Sequence, residues 1–125
     1  MAFNFLVVDD SETARAVVVK ILRLSGVAVG EVHEASNGVE ALQLLEVEPI
    51  DALLTDINMP EMNGAELIAT MQQDERLAAI PVLVISTEGS QTRVEHLLQE
   101  GVRAYLRKPF PPEKLREALE GLLPQ

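Results

Sequence analysis

At 125 residues the chain has the length of one domain, enough to bury roughly two thirds of its unfolded surface around a single core. Hydrophobic residues at 47% and charged residues at 24% are an ordinary globular composition that excludes a disordered chain, and aromatics at 3% leave the core to aliphatic side chains. With 10 basic against 20 acidic residues the formal charge is −10, a field that repels nucleic acid and anionic lipid, and the lack of cysteine excludes disulfides, thiol catalysis and cysteine-ligated metal. No apolar stretch reaches the length of a membrane span, and the opening Met-Ala-Phe-Asn-Phe lacks the basic start of a signal peptide, so a cytoplasmic location is expected.

In chain order, the apolar run over residues 5–8 predicts a first strand that ends on Asp9-Asp10. Helical spacing follows, with Ser11 as N-cap, Ala14, Val17, Val18, Ile21 and Leu24 on one face, and Ser25-Gly26 as the stop. A weaker strand over 32–35 mixes His33 and Glu34 into its run, as an edge strand does. Asn37-Gly38 then opens a helix carrying Ala41, Leu42 and Leu45, which Pro49 closes. The run over 50–55 predicts a third strand ending on Asp56. After a loop through Met59-Pro60-Glu61-Met62, Asn63 and Glu66 form a capping pair for a helix through Leu67, Ile68 and Met71. Pro81 introduces a strand over 82–85 that ends on Ser86-Thr87. Ser90 then caps a helix presenting Val94, Leu97 and Leu98, with Gly101 as its stop. The short run over 104–106 leads into Arg107-Lys108, and Pro111-Pro112 start a last helix through Leu115, Leu119 and Leu122.

This alternation predicts an α/β fold of the (βα)5 type, a doubly wound five-stranded parallel sheet, because continuous Val/Leu/Ile runs are what strands covered on both faces require. No linker or repeat divides residues 1–125, so one domain without an output domain is expected. The flavodoxin-like strand order 2-1-3-4-5 is adopted for it. In such a sheet the strands' carboxyl ends share an edge, which brings Asp9, Asp10, Asp56, Ser86 and Lys108 to one crevice. Each has an ordinary reading alone: acids cap helices, an Asp starts a turn, a Ser caps, a Lys is solvated. Together, three carboxylates repel one another unless a cation intervenes, and a hard ion such as Mg²⁺ takes oxygen ligands. Asp56 is the candidate nucleophile of an aspartyl-phosphate, Lys108 the counter-charge, and Ser86 a hydroxyl for the same phosphoryl oxygens. His33 and His96 stand isolated and read as surface or partly packed residues.

The ordered set Asp9-Asp10, Asp56-Ile-Asn-Met-Pro60 with Gly64, Ser86-Thr87, and residues 101–110 with Tyr105 and Lys108-Pro109 resembles the response-regulator receiver domain, in its single-domain chemotaxis-type form. The resemblance covers nearly the whole chain. It implies that Asp56 accepts a phosphoryl group from a phosphohistidine of a sensor histidine kinase or phosphotransfer protein. Mg²⁺ would be bound by Asp10, Asp56 and the Asn58 carbonyl, with Asp9 assisting through water. It further implies that Ser86 and Lys108 bind the phosphoryl oxygens and that Ser86 and Tyr105 form the switch. The Lys108-Pro109 bond would be cis, and residues 90–123 would be the partner surface. A monomer is expected, or a dimer once phosphorylated, with no nucleic acid or membrane partner and an output protein that the sequence does not name.

Alternatives of other classes remain at this stage. A haloacid-dehalogenase-type phosphohydrolase is loosely echoed by Asp9-Asp10-Ser11-Glu12-Thr13, although Ser11 replaces the second acid of D-x-D-x-T. A flavodoxin-type nucleotide carrier lacks its Gly and hydroxyl phosphate loop, and a phosphorylation-independent interaction module on the same fold would not need the acid, hydroxyl and lysine set. Within the receiver reading, Asn58 and Glu88 resemble the pair that modulates autodephosphorylation in chemotaxis receivers. Thr87 stands where the family most often has Ala or Gly, so it crowds the acyl phosphate. Thr87→Ala is therefore expected to change the rate of phosphoryl gain or loss, measured by timed intact mass; unchanged kinetics in both directions would refute the crowding.

Overall fold

A computed structural model of the chain describes residues 2–57, 59, 61–87, 95, 96 and 98–123. Five strands, β1 (Phe3–Val8), β2 (Val29–Ala35), β3 (Ala52–Thr55), β4 (Val82–Ser86) and β5 (Ala104–Arg107), form one parallel sheet in the order β2-β1-β3-β4-β5. The described helices are α1 (Glu12–Leu24), α2 (Gly38–Val47), α3 (Gly64–Gln72), the single turn α4 (Glu75–Ala78) and α5 (Pro112–Glu120). Both the expected class and the adopted strand order hold.

Side-chain alternation on the strands divides the core into two layers. On β1, Leu6 and Val8 join Leu53, Val84, Ala41, Leu45, Leu67 and Ile68 on the side covered by α2 and α3. Phe5 and Val7 face the other way and pack with Leu54, Leu83 and Ile85 against Val18 and Leu22 of α1 and Leu115 and Leu119 of α5. Both faces of the central strands are therefore covered, which is why β3 and β4 are buried at every residue and read as unbroken apolar runs. Among the described residues no helix is long and apolar enough to cross a membrane.

The caps follow the expected residues. Ser11 accepts a hydrogen bond from the Ala14 N–H at 3.1 Å, and Gly26, at φ 92°, supplies the left-handed turn after α1. Asn37 caps α2, where the exposed Glu40 carboxylate is held below its ordinary range by the Ser36 hydroxyl and Ser36 N–H. Asn63 and Glu66 complete a reciprocal capping box on α3. Two elements differ from expectation. β2 begins at Val29 and not at residue 32, because Val29 pairs with Phe3 of β1 ahead of an irregularity that leaves Gly30 and Glu31 exposed. α4 is new: Asp74 accepts from the Arg76 N–H at 2.9 Å and caps a turn too short to show helical periodicity.

The helix expected after Ser90 falls largely outside the described residues, as do Ser90, Val94 and Leu97 themselves. Its described residues Glu95, His96, Leu98 and Gln99 are helical, and the Glu100 N–H donates to the His96 carbonyl at 3.2 Å.

The loop after β3 is folded back on itself: the Gly64 N–H donates to the Ile57 carbonyl at 2.7 Å. A Cβ on Gly64 would collide with the Asp56 carbonyl oxygen and come within 2.9 Å of the Ile57 Cα, both of them backbone atoms. Gly64→Ala is expected to destabilise the domain by about 1–3 kcal/mol in urea unfolding. Gly38→Ala should also destabilise, because its Cβ would come within 2.6 Å of the Met62 Cγ and 2.9 Å of the Met62 Cβ, atoms at the base of that side chain.

Candidate functional site

At the carboxyl edge of the sheet, Asp9 is the most constrained acid. Its N–H continues the ladder to the Ala35 carbonyl at 3.1 Å, Oδ1 accepts from the Ser11 N–H at 2.9 Å, and Oδ2 accepts from the Lys108 ammonium at 3.1 Å. The residue is 4% exposed, so these partners stand in for water. Asp10 is exposed beside it.

Asp56 leaves β3 with its N–H donating to the Val8 carbonyl at 2.9 Å, which sets it alongside Asp9. One carboxylate oxygen, Oδ1, accepts from the Ile57 N–H at 2.6 Å. The other, Oδ2, lies 3.7 Å from the Lys108 ammonium, with the side chain 18% exposed. Thr55 donates its hydroxyl to the Asp56 carbonyl at 2.8 Å and so helps hold the strand end.

Lys108 is placed by β5. Its N–H donates to the Ser86 carbonyl at 2.8 Å, extending the β4 ladder by one residue, and the Lys108-Pro109 bond is cis. The ammonium then stands between Asp9 and Asp56. Ser86 is buried at the end of β4, and Thr87 after it is exposed. Tyr105 is half-buried against the core layer that includes Val84 and Val102.

The structure thus brings Asp9, Asp56, Lys108 and the Ser86 backbone together, with Asp10 at the rim. Asn58, Pro60 and Glu88 lie outside the described residues. The aspartates present only oxygen donors, the set that suits a hard divalent cation. The sequence reading missed Arg15. Its Nη1 donates to the Asp9 carbonyl at 2.6 Å while Nε pairs with Glu34 at 3.2 Å, so a guanidinium 15% exposed in its side chain clamps the Asp9-Asp10 peptide against β2. The available signal was helical phase: Arg15 sits one turn after the Ser11 cap, at the end of α1 nearest the acids.

A parallel α/β sheet whose carboxyl edge joins buried and accessible aspartates through one lysine defines the class of phosphoacceptor signalling domains. The profile of the response regulator receiver domain matches residues 5–120, and the chain belongs to that family. It is 43% identical over 121 residues to the chemotaxis protein CheY1 of Helicobacter pylori, covering 96% of each protein. The structure of the chemotaxis response regulator CheY4 of Vibrio cholerae superposes with a TM-score of 0.85 at 32% identity, covering 98% of this chain and 100% of that one. The receiver domain of the sensor histidine kinase PA1611 of Pseudomonas aeruginosa, solved with a magnesium ion coordinated in its active site cleft, superposes with a TM-score of 0.84 at 25% identity, covering 98% of both chains. The chain is therefore a receiver domain of two-component signal transduction.

Removing Lys108 leaves Asp9 and Asp56 facing each other with no ammonium between them. Lys108→Met is expected to lower stability by about 1–3 kcal/mol in metal-free urea unfolding, the cost of stranding a buried acceptor. Asp56→Asn should be neutral or stabilising, since it removes a like charge and keeps the side-chain volume. In the double variant the Lys108→Met loss should shrink, a coupling that a mutant cycle measures directly.

Proposed function

We propose that Asp56 accepts a phosphoryl group from the phosphohistidine of a sensor histidine kinase or phosphotransfer protein, and that residues 90–123 pass the change to an output protein. The observation that carries this reading is the Lys108 ammonium, 3.1 Å from Asp9 and 3.7 Å from Asp56 at the carboxyl edge of the sheet. Asp56 Oδ1 is restrained by the Ile57 N–H, while Oδ2 faces the ammonium. In the transfer, a lone pair of the Asp56 carboxylate forms the O–P bond as the P–N bond breaks and its electrons return to the donor imidazole. Lys108 follows the phosphoryl oxygens and balances their charge.

Asp10 and Asp56, with the main-chain carbonyl of residue 58, are the groups that would hold Mg²⁺, with Asp9 assisting through water. Bound there, the ion neutralises carboxylate and phosphoryl oxygens and relieves their repulsion. Arg15 orients the Asp9-Asp10 peptide from below. Phosphorylation adds about −1.5 to −2 of charge, and a two-state element must convert it into a change elsewhere. The Ser86 hydroxyl, drawn toward the phosphoryl group, and the half-buried Tyr105, which turns with it, form that element. The exposed Leu98 falls within residues 90–123, the surface that an output protein would meet.

The same reading places the chain in the cytoplasm as one receiver domain spanning residues 1–125, monomeric or dimeric once phosphorylated. It acts on no substrate beyond its own phosphorylation and dephosphorylation. The phosphohydrolase alternative, with Asp9 as nucleophile, finds no support: Asp9 is buried and both its carboxylate oxygens are already engaged.

Incubation with acetyl phosphate and Mg²⁺ followed by intact mass tests the assignment. A single phosphoryl adduct is expected in the wild type, not formed when Mg²⁺ is chelated before the phosphodonor is added, and absent in Asp56→Asn. An adduct of equal yield in Asp56→Asn would remove Asp56 from the role.

A further inference from the structure

His33 stands alone in the sequence, but the fold surrounds it with acids. Glu31 and His33 are two residues apart on β2, so they leave the strand on one face. Ala35, next in that series, lies in the core layer beneath α2, whereas Glu34 points to the opposite face and Arg15. The Glu31-His33 face therefore meets the end of α2, where Glu48 is the C-cap. His33 Nε2 lies 3.2 Å from Glu31 Oε2 and 3.6 Å from Glu48 Oε2, and ligand atoms of the three residues all lie within 4.8 Å of one another. Among the described residues this is the one such group.

Two further observations separate it from an ordinary surface ion pair. Both carboxylates approach the same ring nitrogen, Nε2, which can give a hydrogen to only one of them at a time. Among the described residues, neither Glu31 nor Glu48 pairs with a Lys or Arg, whereas the neighbouring Glu46 is matched by Arg76 at 3.0 Å. In addition, α2 has no basic residue in its last turn, so the partial negative charge of its C-terminus adds to that of Glu48. A divalent cation would offset both carboxylates together.

The geometry matches one. Ligands placed 2.0–2.2 Å from a tetrahedral centre stand about 3.4 Å apart. The two separations from His33 Nε2, 3.2 and 3.6 Å, bracket that value, and the ligand atoms of Glu31 and Glu48 lie within 4.8 Å of each other. We infer that Glu31, His33 and Glu48 form a Zn²⁺ site distinct from the aspartates, with water completing a four-coordinate shell. The imidazole nitrogen selects zinc, while the all-oxygen set at Asp9, Asp10 and Asp56 suits magnesium, so the two ions sort between the two sites. Bound zinc would join the edge strand β2 to the end of α2.

The test is calorimetric titration with zinc chloride at neutral pH in millimolar Mg²⁺, with the ¹⁵N resonances of the His33 ring followed in parallel. Wild type and Asp56→Asn are expected to bind one Zn²⁺ alike, with a shift of the His33 ring. His33→Gln and Glu48→Gln should weaken it at least ~10-fold, since even outer-shell changes at metal sites cost that much. His33→Gln should keep its acetyl-phosphate labelling, which shows that the fold and the phosphoacceptor site survive. Absence of zinc binding, displacement of zinc by Mg²⁺, equal affinity in His33→Gln, or loss of binding in His96→Gln instead would each overturn the site. Failure of labelling at Asp56 with zinc binding intact would count against the phosphoacceptor assignment alone.

Discussion

The contact between Lys108 and Asp9 joins residues 99 positions apart, and the rest of the site is arranged around it. It exists only because β5 and β1 lie in the same parallel sheet with β3 and β4 between them, all ending at one edge. The ladder hydrogen bonds that continue past the strands, Asp9 to Ala35, Asp56 to Val8 and Lys108 to Ser86, carry the register of the core out to the charged residues. A slip of one residue in any of them would exchange buried and exposed side chains and move an acid or the lysine to the wrong face. Burial of Asp9 at 4% exposure then makes the ammonium obligatory, because an unpaired carboxylate at that depth is strongly disfavoured.

This arrangement explains why the site suits a switch. Like charges are held close by packing that is independent of them: Phe5, Val7 and Leu54 on one side, Leu6, Val8 and Leu53 on the other. The charges can therefore be rebalanced, by metal or phosphoryl group, without unfolding the sheet. In the proposed switch the responding groups would be Ser86 at the end of β4 and Tyr105 on β5, both attached at or near that edge. The Glu31-His33-Glu48 group lies outside this machinery, between the edge strand β2 and the end of α2.

What was legible in the sequence was what local chemistry encodes. Uninterrupted apolar runs identified strands covered on both faces; Ser11, Asn37 and the Asn63–Glu66 pair marked helix starts that the structure keeps. Placing every reactive residue at the end of such a run was enough to assemble Asp9, Asp56 and Lys108 at one edge, since parallel strands have only one carboxyl edge. Less legible were the short α4, with no full period to detect, and the opening of β2, where Val29 pairs with β1 while Gly30 and Glu31 fall at an irregularity in the register.

Tertiary structure alone decided the partnerships between side chains. Arg15 looks like a surface residue of an amphipathic helix, and only the approach of α1 to the β1 end and to Glu34 turns it into a clamp on the Asp9 carbonyl. His33 likewise acquires Glu48 from another element, across a distance no local pattern records. The division has a physical cause: periodicity and caps are set by neighbours within a turn or two along the chain. Distances between charges on different elements depend on the crossing of helix and sheet, which is fixed by the packing of the whole core.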